Sequence, residues 1–430
     1  MRPAHLLLVC LVANAVAGER LPNGTHTDWV ANPFSSSSSG RVFKAERIRT
    51  FGSQLPAVPE ATPRRQAPPS CSNWAVITSI FPPTDLIRQL ASLRDWCTVV
   101  VGDRKSPAVY DANVTFLAPS DQEILGLATS EHLPWNHFGR KNIGFLYAIL
   151  HGAVNVYDTD DDNRLQTSAA LDDALTQTST KLVSCASRVC NPYPYFRPAL
   201  GENTTHAENM THLGGGTVFS WPRGFPLPSI RDHTSSSLLP AAEDRSPTVA
   251  VVQSLADGDP DVDAIYRLTR HIPFVFTRRE TQVAFAPGTY VPFNAQATLF
   301  KRDALWATLL PVTVHGRVTD IWRSLIICRL FADLQLSVAF SSSWVTQIRN
   351  AHNYLGDFES ETDLYLKSGA LIELLAAWSP EPDTSVPQRF MQLYIHLYEH
   401  GILEEDDVHL ANAWLRDLAR ASYRFPPLVP

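Results

Sequence analysis

The chain lacks both long apolar runs and concentrations of basic residues. No stretch of about 18 consecutive apolar residues occurs, so no convincing membrane-spanning helix is predicted. The net charge is −7, and no basic patch carries interleaved aromatic residues, which argues against a nucleic-acid partner. Neither a Gly-x-Ser-x-Gly elbow nor a Gly-rich phosphate loop ending in Lys-Ser/Thr is present, which excludes the common serine-hydrolase and P-loop classes.

Cysteine is also scarce, and no second pair of ligands has the spacing of a zinc site. Cys10 lies in an N-terminal apolar segment, and its removal would leave an odd number of cysteines. Cys185 and Cys190 could close a tight loop. Cys71 and Cys97 each precede a predicted strand, so they could bond if those strands are parallel neighbours. Cys328 would then remain as a buried residue of a helix.

The N-terminus has the pattern of a secretory signal. Arg2 precedes an apolar run over residues 6–17, which ends in a small-x-small cleavage pattern. Residues 1–18 are therefore predicted to be a signal peptide, with a short signal anchor as the alternative. Sequons for N-glycosylation fit this route and occur at Asn23, Asn113, Asn203 and Asn209. We expect a protein of the secretory pathway, in the Golgi lumen or secreted.

Composition divides the rest of the chain into a stem and a folded part. Residues 19–70 are rich in Ser and Pro and predict a disordered stem. Residues 71–335 predict an α/β catalytic domain, because apolar strands alternate with helical patterns, as in a parallel sheet covered on both faces. Residues 336–430 predict a helical C-terminal extension. Strands are expected at 74–80, 97–101, 114–117, 153–157, 217–221 and 249–254, with two more within 281–300.

The strongest chemical signal is an acidic run that follows the fourth predicted strand. Asp158, Asp160, Asp161 and Asp162 place four carboxylates within five positions. Such a cluster is repulsive unless a cation accompanies it, and open α/β sheets bind their ligands at the carboxyl ends of strands. The alternative is a solvated acidic turn. The strand and the helix before the run favour a divalent ion, Mn²⁺ or Mg²⁺, that holds a diphosphate.

Two basic residues support a phosphate-bearing ligand. Arg140 and Lys141 stand at the start of a predicted helix, where the positive end of the helix dipole disfavours cations. Their presence becomes reasonable if an anion such as a diphosphate binds there, although they could also extend into solvent. Asp103, after the second strand, could accept hydrogen bonds from a base or ribose, or be a plain turn residue. Thr78 and Asp161 complete the predicted nucleotide-binding set.

Two further segments carry chemistry-bearing residues. In the segment 315–323 (HGRVTDIWR), His315 could complete the metal site and Asp320 could be a general base, or each could serve the entry into a helix. The segment 257–263 (DGDPDVD) imitates a calcium loop but lacks the glycine and glutamate of an EF-hand. Asp259 as a helix N-cap explains most of that segment, and a role in acceptor binding is the alternative.

Several short segments together resemble the STELLO family of glycosyltransferases. They occur in one order between residues 72 and 380, and their coincidence by chance is improbable. The segments are 73–78 (NWAVIT), 134–136 (PWN), 139–144 (GRKNIG), 157–163 (YDTDDDN), 191–193 (NPY), 221–224 (WPRG), 256–263 (ADGDPDVD), 292–296 (PFNAQ) and 314–323 (VHGRVTDIWR). Plant members are Golgi proteins with a membrane anchor, linked to cellulose synthase assembly. This chain departs from them in its short stem and in the lack of a clear anchor.

The resemblance implies a GT-A fold, an α/β architecture that binds nucleotide sugars through a metal-binding Asp-x-Asp motif. On that pattern Asp158 and Asp160 are the metal pair, and Asp160 is the more direct ligand. Asp103 would contact the nucleoside, and Arg140 or Lys141 the diphosphate. Asp320 is placed like the acceptor-activating base of inverting GT-A enzymes.

These observations lead us to expect a metal-dependent glycosyltransferase. It would transfer a hexosyl or pentosyl group, with inversion, from a nucleotide diphosphate sugar such as a UDP-sugar to a glycan or other hydroxyl acceptor. One alternative is a non-catalytic scaffold for a polysaccharide synthase, which would then be its partner. The other is a nucleotide-sugar mutase or hydrolase that uses the same metal site.

Overall fold

The fold is taken from a computed structural model. It describes residues 71–177, 179–199, 218–241, 246–349 and 352–429. The predicted signal peptide, the predicted stem and the sequons at Asn23, Asn203 and Asn209 lie outside these residues. The remaining sequon residue, Asn113, is exposed.

The first half of the sheet is parallel, as its apolar runs predict. Strands β1 (Asn73–Thr78), β2 (Cys97–Val101), β3 (Thr115–Leu117) and β4 (Asn155–Thr159) pair in the spatial order β3-β2-β1-β4. β1 is central because its residues 74–77 are all apolar and buried, so they pack against helices on both faces. This order brings the carboxyl ends of the four strands to one edge.

The remaining strands extend the sheet with mixed polarity. β10 (Ala297–Lys301) runs antiparallel between β4 and β8 (Thr248–Gly258), and β8 pairs in parallel with β11 (Leu336–Gln347). The other strands are β5 (Asn163–Leu165), β6 (Thr180–Ser184), β7 (Leu239–Pro240) and β9 (Gln282–Phe285). The full order is β3-β2-β1-β4-β10-β8-β11-β9-β6-β7, with β5 paired to β11.

Helices cover the sheet and fill the C-terminal part of the chain. They are α1 (Asp85–Ala91), α2 (Pro119–Ile124), α3 (Lys141–Leu150), α4 (Ala170–Thr176), α5 (His233–Ser236), α6 (Ala264–Thr269), α7 (Gly316–Ala332), α8 (Tyr354–Ser360), α9 (Thr362–Ala377), α10 (Val386–Glu399) and α11 (Glu405–Arg420). A mixed α/β fold with C-terminal helices confirms the predicted class and is compatible with a GT-A-like glycosyltransferase fold.

The C-terminal helices are tied to the sheet domain by buried carboxylates. In α11, Asp417 accepts hydrogen bonds from the backbone amides of Ala128 and Thr129. In the same helix, Asp407 accepts from the backbone amides of Val312 and Thr313. These bonds fix the 3₁₀ helix Ala128–His132, which precedes α3, and the loop before α7; α3 and α7 are the helices that reach the candidate site.

The structure departs from the sequence-based organisation in two places. Residues 336–347 form β11, a strand in the interior of the sheet, so the proposed boundary after residue 335 does not separate two structural units. The serines at 341–343 interrupt its apolar pattern, and a β-bulge lies between Ser341 and Val345. No strand occurs at 218–221, because this prolyl segment turns at Trp221–Gly224 instead of pairing.

The cysteine arrangement agrees with the sequence analysis. Cys71 bonds Cys97 with their Cα atoms 6.2 Å apart, since β1 and β2 are parallel neighbours and both cysteines precede or begin a strand. Cys185 bonds Cys190 across a tight loop. Cys328 is a buried free thiol in α7. Within the described ranges, none of the helices combines the length and apolarity needed to span a bilayer.

The closeness of α3 to the sheet depends on Gly144. A Cβ atom there would lie 2.6 Å from Val76 Cγ1 and 2.8 Å from Val101 Cγ2, both on strands. At Gly369, inside α9, the nearest atom would be 3.8 Å away, which is ordinary contact.

We therefore expect Gly144→Ala to destabilise the fold and Gly369→Ala to leave it unchanged or more stable. Overpacking costs about 1–3 kcal/mol, whereas alanine in a helix gains up to about 1 kcal/mol over glycine. Urea denaturation of the two variants measures the difference. Equal midpoints would contradict the packing of α3 described here.

Candidate functional site

The carboxyl ends of β1, β2 and β4 meet at one edge and form the candidate site. Ser79, which follows β1, donates its hydroxyl to Asp161 at 2.5 Å, and its backbone carbonyl accepts from Ser106. Asp103 follows β2 and is buried, while Thr78 is half-buried. Thr78, Asp103 and Asp161, which were predicted as site residues at the ends of three different strands, therefore lie at one edge of the sheet.

Asp158 lies inside the protein and is neutralised by two cations. One carboxylate oxygen is 2.6 Å from Lys141 Nζ, and the other is 3.0 Å from Arg323 Nη1. All three side chains are 1% exposed or less. The structure thus places Asp158 as a buried counter-ion that joins β4, α3 and α7.

Asp160 is the member of the acidic pair that faces solvent. Its carboxylate is 3.3 Å from Lys141 Nζ, and 36% of the side-chain surface is exposed. The protein that encloses its other sides desolvates the carboxylate and raises the pKa of Asp160 to about 7; Lys141 opposes this shift, and the carboxylates of Asp162 and Asp158 add to it. A cation close to this carboxylate would stabilise its charged form.

Arg140 does not occupy the position that its predicted role requires. Its guanidinium is buried, stacks on the Trp135 ring at 3.5 Å, and donates to Gln122 Oε1 and to the carbonyl of Leu133. Burial lowers the pKa of Arg140 to about 10. Because Nε and both terminal nitrogens already donate to protein acceptors, this geometry does not support Arg140 as a diphosphate ligand. Lys141 is buried as well, and its ammonium group contacts the carboxylates of Asp158 and Asp160.

Asp103 has surroundings that suit a nucleoside. It is 7% exposed, and one carboxylate oxygen accepts from the backbone amide of Arg104. The Arg104 guanidinium lies 5.0 Å from the centre of the Trp135 ring. A carboxylate beside a partly exposed indole can accept hydrogen bonds from a base or ribose and offer an apolar surface to it.

Asp320 lies in a second cluster of charges. Arg223 Nη2 and Nη1 contact its two oxygens at 2.9 and 3.2 Å, and the backbone amide of Ala295 donates to it at 3.1 Å. Arg223 Nε also pairs with Asp261 at 2.8 Å, and Asp261 accepts from Asn294. An acceptor hydroxyl could reach Asp320 only if one of these bonds opened.

The segment 257–263 caps a helix through a different residue than predicted. Asp263, and not Asp259, is the N-cap of α6 and accepts from the amide of Tyr266 at 2.8 Å. Asp259 pairs with Arg267 in the structure. The N-cap lies four residues later than predicted, and Asp261, between the two positions, pairs with Arg223.

His315 does not join the acidic pair. It is exposed, it is the N-cap of α7, and its Nδ1 accepts from the amide of Arg317 at 3.2 Å. Across the part of the chain that the structure describes, no three His, Cys, Asp or Glu side chains are grouped to hold a metal ion. The expected set of Asp158, Asp160 and His315 is therefore not assembled here.

A metal ion nevertheless fits Asp160 by its chemistry. Mg²⁺ and Mn²⁺ prefer oxygen ligands and are often held by one or two carboxylates together with substrate phosphates. Asp160 supplies one partly exposed carboxylate, whereas the oxygens of Asp158 are already paired. The residues fit a metal ion that takes most of its ligands from the bound substrate, and not an ion that the protein alone coordinates.

Sequence reasoning missed the two arginines that organise the site. Arg323 follows Asp320 by three positions, so both lie on one face of α7. Arg223 stands in the turn between Pro222 and Gly224, whose φ of +80° suits glycine. A basic residue one helical turn from a predicted catalytic acid was a usable signal for Arg323. Nothing local pointed to Arg223.

An open cleft lies beside the strand that follows the acidic run, and both polar and apolar side chains line it. It has a volume of about 650 Å³ and lies where β5, the end of β11 and the end of α1 approach one another. Its lining includes Gln89, Ser92, Arg164, Gln166, Thr167 and Arg278. Amides, hydroxyls and guanidinium groups of this kind hydrogen-bond to sugar hydroxyls.

Comparisons with known proteins agree with the resemblance carried by the motifs. A family model described as STELLO glycosyltransferases matches residues 317–430. The chain is 28% identical over 404 residues to a probable glycosyltransferase, STELLO1 of Arabidopsis thaliana, covering 92% of this chain and 50% of that protein. It is 29% identical over 368 residues to the probable glycosyltransferase STELLO2 of the same plant, covering 83% and 46%.

The chain spans about half the length of these curated relatives. The match to the family model includes Arg323 and the C-terminal helices α8–α11. The predicted resemblance is confirmed, and the chain is similar to the STELLO glycosyltransferases over most of its length.

Proposed function

We propose that this chain is a glycosyltransferase that uses a nucleotide diphosphate sugar, such as a UDP-sugar, in the secretory pathway. The observation that carries the proposal is the meeting of Asp103, Asp160 and Asp161 at the carboxyl ends of β2 and β4, on either side of β1. Ligands of open α/β sheets bind at this edge. The similarity to probable glycosyltransferases supplies the reaction class.

The site suggests a distinct task for each group. Asp103, beside Arg104 and Trp135, would bind the nucleoside. Asp160 would hold Mn²⁺ or Mg²⁺ together with the diphosphate, and such an ion neutralises the charge that develops on the leaving group. Lys141 and Arg323 form buried ion pairs with Asp158 and so fix the position of the acidic pair.

The acceptor would be a glycan or another hydroxyl compound. The cleft beside β5 offers amides and hydroxyls two residues beyond the acidic run. Asp320 would accept the proton of the attacking hydroxyl once a bond to Arg223 opens, with inversion at the anomeric carbon.

The first prediction concerns the donor. UDP should bind the purified protein in the presence of Mn²⁺, and Asp160→Ala should lose this binding because the only partly exposed carboxylate of the pair is removed. Isothermal titration with and without Mn²⁺ measures the effect. Asp95→Ala is a matched control, since it removes an exposed carboxylate just before β2, at the opposite edge of the sheet.

Metal-dependent binding that is lost in Asp160→Ala and kept in Asp95→Ala would support the nucleotide-sugar site. Absence of UDP binding by wild-type protein whose fold is intact by circular dichroism would refute it. A scaffold for a polysaccharide synthase would then be the better account.

The second prediction separates catalysis from scaffolding. Asp320→Asn keeps the size of the side chain and an oxygen that can accept from Ala295 but removes the base. We expect transfer to fall by about 10²–10⁴-fold, the usual contribution of general base catalysis, with UDP affinity within about twofold of wild type. Donor screening with a radiolabelled sugar measures transfer.

Unchanged transfer in a folded Asp320→Asn protein would exclude Asp320 as the base. Turnover of the sugar nucleotide in the absence of any acceptor would instead indicate a mutase or hydrolase.

A further inference from the structure

The ammonium group of Lys141 lies between the two carboxylates of the Asp-x-Asp pair. Its nitrogen is 2.6 Å from an oxygen of Asp158 and 3.3 Å from an oxygen of Asp160. The carbonyl of Ala295 lies 3.2 Å from the same nitrogen. Three oxygens thus surround one fully buried ammonium: those of Asp160 and Ala295 accept hydrogen bonds from it, and that of Asp158 forms an ion pair with it.

This arrangement weakens the electrostatic attraction of the acidic pair for a free divalent ion. Two adjacent carboxylates normally attract a cation because they repel each other. Here Lys141 and Arg323 supply two positive charges against the two negative charges of Asp158 and Asp160. The charges of the pair are balanced before any ion arrives.

Lys141 is held firmly in this position. It begins α3 directly after the short 3₁₀ helix Phe138–Arg140, and the Phe138 ring lies 5.0 Å from its ammonium group. Moving the buried ammonium away would leave Asp160 without a cation and Asp158 with Arg323 alone, which is unfavourable for buried charges. The ammonium therefore acts as a fixed part of the site.

We propose that Lys141 makes the binding of a divalent metal ion conditional on a nucleotide diphosphate. The ammonium takes the place between the two carboxylates, so only the exposed part of Asp160 is left for a metal ion, and the remaining oxygens must come from the ligand. Metal and nucleotide then bind as one unit. This inference rests on the proposed function in one respect, that Asp160 faces the donor.

The test measures Mn²⁺ binding by electron paramagnetic resonance, without nucleotide, on the full protein. Wild type should bind Mn²⁺ weakly. Lys141→Met removes the charge between Asp158 and Asp160 at similar length and should tighten Mn²⁺ binding by tenfold or more, about 1.4 kcal/mol. Lys141→Arg keeps a positive charge and should remain weak.

Lys301→Met is the matched control, because Lys301 lies in β10 opposite Asn155, at the far end of β4 from the acidic run. It loses one positive charge from the same sheet and should bind Mn²⁺ as wild type does. If Lys141→Met folds only when Mn²⁺ is added, as followed by circular dichroism, that rescue supports the proposal as well.

Two results would overturn the proposal. One is tight Mn²⁺ binding by wild type without nucleotide, which needs no variant. The other is a folded Lys141→Met protein whose Mn²⁺ affinity equals that of wild type. Both measurements omit UDP, so failure of UDP to bind would count against the proposed function and would leave this comparison intact.

Discussion

The candidate site depends on one buried interaction, the contact of Asp158 with Lys141 and Arg323. The three residues come from β4, α3 and α7, and Arg323 lies 165 positions from Asp158 in the chain. Removal of one member of a buried charge group costs about 3–5 kcal/mol, because the remaining charge is left without compensation. This contact therefore fixes how both helices meet the edge of the sheet from which the acidic run emerges.

The acidic run divides by position where β4 ends. Asp158, within β4, and Asp160, just beyond it, both contact Lys141. Asp161 accepts from Ser79, which follows β1. A run that appears uniform in the sequence therefore holds one buried counter-ion, one partly exposed carboxylate and one carboxylate that joins neighbouring strand ends.

The sequence predicted the parts of the fold that depend on local patterns. The apolar runs of β1, β2 and β4 and the pairing of Cys71 with Cys97 follow from periodicity and from the parallel order. β11 escaped prediction because its serines break the apolar pattern, and its burial comes from β8 and β9. The acidic run and Asp320 were found, but their partners Arg323 and Arg223 were not, because no local pattern predicts pairing across 97 or 165 positions; the spacing of Arg323 from Asp320 indicates only that both lie on one face of α7.

The fixed charges also bear on which form of a diphosphate the site can accept. Asp158 and Asp160 are balanced by Lys141 and Arg323, whereas Asp261 and Asp320 share only Arg223. Ala295 joins the two clusters, because its carbonyl accepts from Lys141 and its amide donates to Asp320. These four carboxylates and three cations carry one surplus negative charge, and Asp162 of the acidic run adds to it. A bare diphosphate would be repelled by the exposed carboxylate of Asp160, whereas a diphosphate that arrives with a divalent ion presents a positive charge to it. The charge balance of the buried residues thus favours a metal–nucleotide complex over either component alone.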